Sequence, residues 1–226
     1  MALIIGDIHG DLRKTKVFLG YEPDQKHIAL GDYLDSYTEQ AEQQLECLNL
    51  LMASNVVLLL GNHECHYLKN PLSRFPGYNS DHAKVFQDIL EANIQRFKVA
   101  YAVDGWLCTH AGVKSEYTDQ ENNVTVLADM FNNAWKSYLK HRAENRHASY
   151  TYQSIFCFNF RMFVEGNLLP TNIRQIFGHV ENNRPIVERE YIALDTTNST
   201  GCWVYDTEKD LVLDIYSGEK IRFNSN

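Results

Sequence analysis

Five short segments of this chain carry carboxylate, imidazole and amide side chains at intervals that suit metal binding. They are Gly6-Asp7-Ile8-His9-Gly10, Gly31-Asp32-Tyr33-Leu34-Asp35, Gly61-Asn62-His63-Glu64, His110-Ala111-Gly112 and Gly178-His179. Carboxylate oxygens are hard ligands and imidazole nitrogens borderline ones, so the mixture suits Mn²⁺, Fe or Zn²⁺ better than Ca²⁺ or Mg²⁺. The donor set points to two transition metal ions. Each segment alone has a plainer reading, a capped turn for Asp-x-His or an ordinary surface or core histidine for Gly-His. Together, in order and each after an apolar run, they favour metal. The Asp-x-His spacing puts Asp7 and His9 on one side if extended backbone continues that far, so both could reach one ion. The glycines allow turns at strand ends where a larger residue would be crowded or strained.

Regular elements must deliver these residues. Leu3-Ile4-Ile5 ends at Gly6-Asp7 and is followed by an amphipathic stretch from Asp11 to Leu19, which reads as strand, loop and helix. His27 to Leu30 runs into Gly31-Asp32, and Ala41, Leu45, Leu48 and Met52 then repeat at helical spacing within Glu39 to Met52. Val56 to Leu60 runs into Gly61-Asn62, with helical sequence resuming between His82 and Phe97. This alternation predicts parallel βα units, whose carboxyl edge is where ligands bind. Val99 to Val103 and Trp106 to Thr109 flank Asp104-Gly105, a strong hairpin signal. Val124 to Leu139 reads as a helix. Short β runs follow at Ile173 to Phe177, Pro185 to Glu188, Tyr191 to Leu194, Cys202 to Tyr205 and Leu211 to Ile215.

Composition removes several function classes. The 226 residues are 44% hydrophobic and 22% charged, ordinary for a soluble globular chain and expected to form a single domain over 1–226. No apolar run approaches the roughly 18 residues of a membrane span. The beginning of the sequence has no basic n-region, which predicts a cytoplasmic protein. Cys47, Cys65, Cys108, Cys157 and Cys202 are odd in number and never form a Cys-x-x-Cys pair, which argues against a disulfide framework or zinc knuckle. A net charge of −8 is wrong for gripping a nucleic-acid backbone by bulk charge.

The ordered segments resemble the signature of the calcineurin-like metallophosphoesterases, and within them the phosphoprotein phosphatase type and related bacterial and phage enzymes. Ile192-Ala193-Leu194-Asp195-Thr196 is similar to that family's late strand and turn. The resemblance implies an α/β fold of two facing mixed β-sheets flanked by helices, the αββα metallophosphoesterase sandwich. It further implies that Asp7 and His9 ligate a first metal, Asp32 bridges both, and Asn62, His110 and His179 ligate the second. His63 would be the general acid and Asp35 its partner. The implied reaction is in-line attack on phosphorus by a metal-bridging hydroxide, with two divalent ions, Mn²⁺ foremost and Fe or Zn²⁺ as alternatives.

One position departs from the family pattern. Phosphoprotein phosphatases follow the second motif with an arginine that grips phosphate, whereas Ser36-Tyr37 follows Asp35 here. Arg161 resembles the family's second phosphate-binding arginine, and Arg74, in the loop after the third motif, could replace the missing one; an exposed arginine in a salt bridge is the plainer reading of Arg161. The Lys140 to His147 cluster reads as a solvated helix end or an anion attractor. The aromatic run Tyr150, Tyr152, Phe156, Phe158, Phe160 and Phe163 reads as core or as a platform for a base. Cys65 and His66 are placed in the first turn of a helix near the site, with no metal role. The expected substrate is a phosphorylated protein or a small phosphoester, with no membrane partner. The alternatives are a nucleotide pyrophosphatase or phosphodiesterase of the diadenosine tetraphosphatase kind, and a scaffold that kept the fold without catalysis.

Overall fold

The computed structural model describes residues 1–71, 73–142, 164, 168–197 and 199–223. Two mixed sheets face each other. The larger has the order β12-β11-β10-β1-β2-β3-β4 and the smaller β5-β6-β7-β9-β8. The larger is built from β1 (Ala2–Ile5), β2 (Lys26–Ala29), β3 (Val56–Leu59), β4 (Phe97–Lys98), β10 (Trp203–Asp206), β11 (Leu211–Asp214) and β12 (Lys220–Arg222). The smaller contains β5 (Ala100–Val103), β6 (Trp106–Thr109), β7 (Arg174–Phe177), β8 (Ile186–Val187) and β9 (Tyr191–Ala193).

The first strands pair in parallel, β1 with β2, β2 with β3 and β3 with β4, as the βα alternation predicts. In the smaller sheet β6 and β7 are parallel. Alternate strand residues divide between two cores. Ile4, Ile28 and Leu59 of the larger sheet pack with Trp106, Cys108, Ile176 and Ile192 of the smaller one, filling the space between the sheets. Leu3, Ile5 and Leu58 face the opposite way, into a second core shared with helices.

Helices α1 (Leu12–Gly20), α2 (Ala41–Ala53), α3 (Asn62–Cys65), α4 (Ala83–Asn93) and α5 (Val124–His141) complete the fold. Asp11 caps α1 by accepting the Lys14 N–H at 2.7 Å, and Asn123 caps α5 by accepting the Thr125 N–H at 2.9 Å. Leu127, Phe131 and Trp135, at helical spacing, bury the inner face of α5. The β5–β6 turn uses Asp104 and Gly105 at φ 48° and 80°, the paired positive angles of a tight hairpin. Cys47, Cys65, Cys108 and Cys202 are buried and outside any disulfide. No helix of the described residues is long and apolar enough to cross a membrane. Arg161, Cys157, most of the Lys140 to His147 cluster and the aromatic run from Tyr150 to Phe163 lie outside the described residues.

Candidate metal centre

Asp7 and His9 follow β1, Asp32 and Asp35 follow β2, Asn62 and His63 follow β3, and His110 and His179 follow β6 and β7. Every sequence-predicted ligand thus leaves the carboxyl end of a strand, and the facing sheets bring the loops together. The closure is covalently remote and physically tight. Gly178 donates its N–H to the His110 carbonyl at 2.7 Å, and the His179 N–H meets both Asp7 carboxylate oxygens at 3.1 Å.

The extended path expected from Asp7 to His9 does not occur. His9 turns to a left-handed φ of 46°, as Asp32 does at 53°, Asp35 at 61° and His179 at 68°. Such angles cost on the order of 1–3 kcal/mol each and cluster at functional sites. Local bonds hold them: the Asp32 carbonyl accepts the Ile8 and His9 N–H groups at 3.1 and 2.9 Å.

Asp32 lies at the middle. Its Oδ2 is 3.9 Å from His9 Nε2, 3.8 Å from His63 Nε2 and 3.3 Å from His110 Nε2. Asn62 Oδ1 lies 2.9 Å from His110 Nε2 and 2.8 Å from His179 Nδ1. Among the described residues, three groups converge closely enough to hold an ion: His9–Asp32–His63, Asp32–His110–His179 and Asp35–His63–His66. Asp7 stands beside them, tied to His179 through that residue's backbone.

Two glycines are required by close approach rather than by their angles. A Cβ on Gly61 would lie 2.0 Å from Asp32 Oδ1, and one on Gly178 would lie 2.0 Å from Asp7 Oδ1. The carboxylates occupy the space that any other residue would fill.

Two rings are oriented by backbone carbonyls. His9 Nδ1 is 2.8 Å from the Leu34 carbonyl and His110 Nδ1 is 3.1 Å from the Leu30 carbonyl, so each Nδ1 carries hydrogen and each Nε2 faces Asp32. Electrostatics fit a cation. Burial, then Asp195 and Asp32, push the Asp7 carboxyl well above the usual carboxylate range. Burial opposes charge on Asp32, yet His110 and His63 hold it well below that range. Burial, then His110, lowers His179 to about 3, leaving a neutral imidazole suited to metal. Asp32 offsets burial to raise His110, a demand for positive charge that a divalent ion would meet.

His63 Nδ1 pairs with Asp35 Oδ2 at 2.8 Å, joining the expected acid and its partner. Ser36, at the family's arginine position, uses its hydroxyl oxygen to accept the Thr38 and Glu39 N–H groups at 3.2 and 3.0 Å, so it shapes the turn. Arg74 is exposed, with its guanidinium 4.7 Å from the Tyr78 ring centre. The exposed ring of Tyr37 lies 6.5 Å from that of His9.

Sequence reasoning missed three supports. Buried Glu64 accepts four backbone N–H groups, from Asp32 (2.9 Å), Tyr33 (2.7 Å), Leu34 (3.1 Å) and Gly61 (3.1 Å). Gln44 accepts the Asp35 N–H at 2.8 Å. His66 places Nε2 2.6 Å from Asp35 Oδ2. The spacing of His66 from His63 was the available signal, since residues three apart share a helix face; nothing in sequence ties Gln44 to this loop.

The calcineurin-like phosphoesterase profile matches residues 2–180. Among solved structures, a mutant cold-active protein tyrosine phosphatase is similar at a TM-score of 0.55 and 15% identity, with 97% of this chain and 79% of that one covered. A structure titled a putative diadenosine tetraphosphatase gives 0.53 and 15%, covering 97% and 91%. A Saccharomyces cerevisiae serine/threonine phosphatase gives 0.50 and 15%, covering 86% and 66%. At such identity the likeness is one of fold, and it is the profile match across most of the chain that settles kinship. This chain belongs to the calcineurin-like phosphoesterases, metal-dependent hydrolases of phosphoesters.

Proposed function

We propose that this protein is a dinuclear phosphomonoesterase of the serine/threonine protein phosphatase type. Asp7, His9, Asp32, Asn62, His110 and His179 would hold two divalent ions, Mn²⁺ foremost, with Asp32 as the carboxylate common to both ligand sets. One observation carries this reading: two donor groups share the Asp32 carboxylate beside a His63–Asp35 pair. Bound ions would supply positive charge for the phosphoryl oxygens and lower the pKa of a water.

The chain's own residues supply the proton. Asp35 holds Nδ1 of His63, which leaves Nε2 facing the centre. Burial opposes charge on that ring, but in the metal-free chain Asp32 and Asp35 raise its pKa to about 9, which favours the protonated form that a general acid needs. Water oxygen forms the new bond to phosphorus. As the ester P–O bond breaks, its electron pair stays on the leaving oxygen, which takes the His63 Nε2 proton.

A second reading, a diadenosine tetraphosphatase-like pyrophosphatase or phosphodiesterase, draws on the exposed Tyr37 ring near His9, a surface suited to a base. Near-complete coverage of the tetraphosphatase structure supports it too. In either reading Arg74, and Arg161 outside the described residues, are the candidates for gripping phosphate in place of the family arginine.

The test is hydrolysis of a phosphothreonine peptide and of diadenosine tetraphosphate by Mn²⁺-loaded protein, with a chelator and Asp32→Asn as controls. Preference for the peptide supports the first reading. Preference for the dinucleotide, seen as nucleotide products, moves the protein to the second. Activity that survives both chelation and Asp32→Asn contradicts both.

A further inference from the structure

Asp35 serves more than one partner. Its Oδ2 faces both His63 Nδ1 at 2.8 Å and His66 Nε2 at 2.6 Å, and its Oδ1 accepts the Tyr67 hydroxyl at 2.5 Å. Its backbone is held as well, by Gln44 at a left-handed φ of 61°.

His66 is only 1% exposed, so both its nitrogens need partners. Nδ1 accepts the Phe75 N–H at 3.3 Å, which identifies it as the lone-pair nitrogen. At 2.6 Å from a carboxylate oxygen, Nε2 cannot present a second lone pair without strong repulsion. It therefore carries the hydrogen. The ring is also locked by neighbours: Tyr67 meets it edge-on at 4.3 Å, Tyr78 edge-on at 5.3 Å, and Phe75 stacks on it at 6.2 Å.

The loop that supplies Phe75 and Tyr78 closes over the acid pair. A Cβ on Gly77 would lie 3.0 Å from His63 Cε1 and 3.3 Å from Asp35 Cβ, so that backbone covers both residues. His66 thus stands between α3 and this loop, with its donor nitrogen on the carboxylate that orients the acid.

We propose that His66 is a positioning residue for the proton donor: it fixes the Asp35 carboxylate so that His63 keeps hydrogen on Nδ1 and its Nε2 toward the centre. This rests on His63 being the general acid. A carboxylate bonded to His63 and to the Tyr67 hydroxyl, with His66 Nε2 pressed against it at 2.6 Å, has less capacity to strip the Nδ1 hydrogen or to rotate away. Without His66, Oδ2 keeps one partner and the acid loses its fixed orientation.

The readout is leaving-group dependence. His66→Leu in the Mn²⁺-loaded full chain is expected to lower kcat on a phosphoserine peptide about 10- to 100-fold, the usual cost of removing an orienting partner. KM should hold, and kcat on 4-nitrophenyl phosphate, whose leaving group needs no proton, should change little. His66→Gln, which can donate from a similar reach, should recover most of the loss. Equal losses on both substrates, or no loss on either, overturn the proposal. His63→Ala run alongside separates the two claims: if it shows no leaving-group dependence, the general-acid reading itself fails. Should His66→Leu not fold, ¹⁵N-histidine spectra of the Zn²⁺-loaded native chain decide. Hydrogen on Nε2 of His66 supports the assignment, and hydrogen on Nδ1 overturns it.

Discussion

Glu64 reaches Asp32 through the backbone, accepting its N–H at 2.9 Å, while the Asp32 carboxylate is left to face His9, His63 and His110. One buried carboxylate thereby clamps the loop that carries Asp32, the proposed shared ligand. Glu64→Gln would turn an amide NH₂ toward two of the four N–H donors now satisfied. The expected loss is about 3 kcal/mol of stability in the metal-free protein, given the strength of hydrogen bonds to charged groups. Urea unfolding measures it, and an unchanged midpoint would show that the clamp is dispensable.

His63→Ala should reduce turnover of a phosphoserine peptide roughly 10²- to 10⁴-fold, the usual worth of a general acid, and affect an activated phenyl phosphate much less. Its Nε2 also lies 3.8 Å from Asp32 Oδ2, within a group able to hold metal. Metal content separates the roles. Two ions per chain retained in the variant fit a proton donor, whereas loss of one would make His63 a ligand.

Stability of the metal-free protein should fall as the solution becomes alkaline. Burial works against charge on His63, but Asp32 and Asp35 outweigh it and raise the pKa from 6.5 to about 9. A base raised on folding contributes stability that is complete below its unfolded pKa and lost as pH rises through its folded one. His110, raised by Asp32 against burial, acts with the same sign. The His63 part of the decline should fall between pH 6.5 and about 9, with a slope of up to about 1.4 kcal/mol per pH unit. Asp35→Asn should shrink this decline, and a flat native profile across that window would contradict the raised pKa.

Gly178→Ala must displace the Asp7 carboxylate, since the added Cβ would lie 2.0 Å from Oδ1. Displacements of this kind cost on the order of 10²-fold in rate, so kcat/KM and bound Mn²⁺ should both drop. Gly20→Ala is the control, because nothing lies within 4 Å of its Cβ position. Equal behaviour of the two variants would remove Asp7 from the centre.

Much of this architecture is legible because apolar runs of four or five residues stop abruptly at Gly-Asp, Gly-Asn or His. The helices after β1 and β2 and the Asp104-Gly105 hairpin follow from periodicity and turn chemistry. Short elements are not legible: the helical pattern from His82 runs up to Phe97, the first residue of β4, and Lys220–Arg222 has too few residues to show alternation. Left-handed His9 escaped a rule based on extended backbone. Spacing gives the side on which a residue starts, while contacts such as His66 with Asp35 depend on how a loop returns.

The pairing of β1 sets an order of assembly. Leu3 is opposite Asp206 on one side and His27 on the other, so β1 sits inside its sheet only once β10, far downstream, has been made. All the proposed ligands lie within the first 179 residues, yet a nascent chain of that length would leave one flank of β1 unsatisfied. Closing so long a loop is slow. Binding competence should therefore arise only once the β10–β11–β12 meander docks against β1.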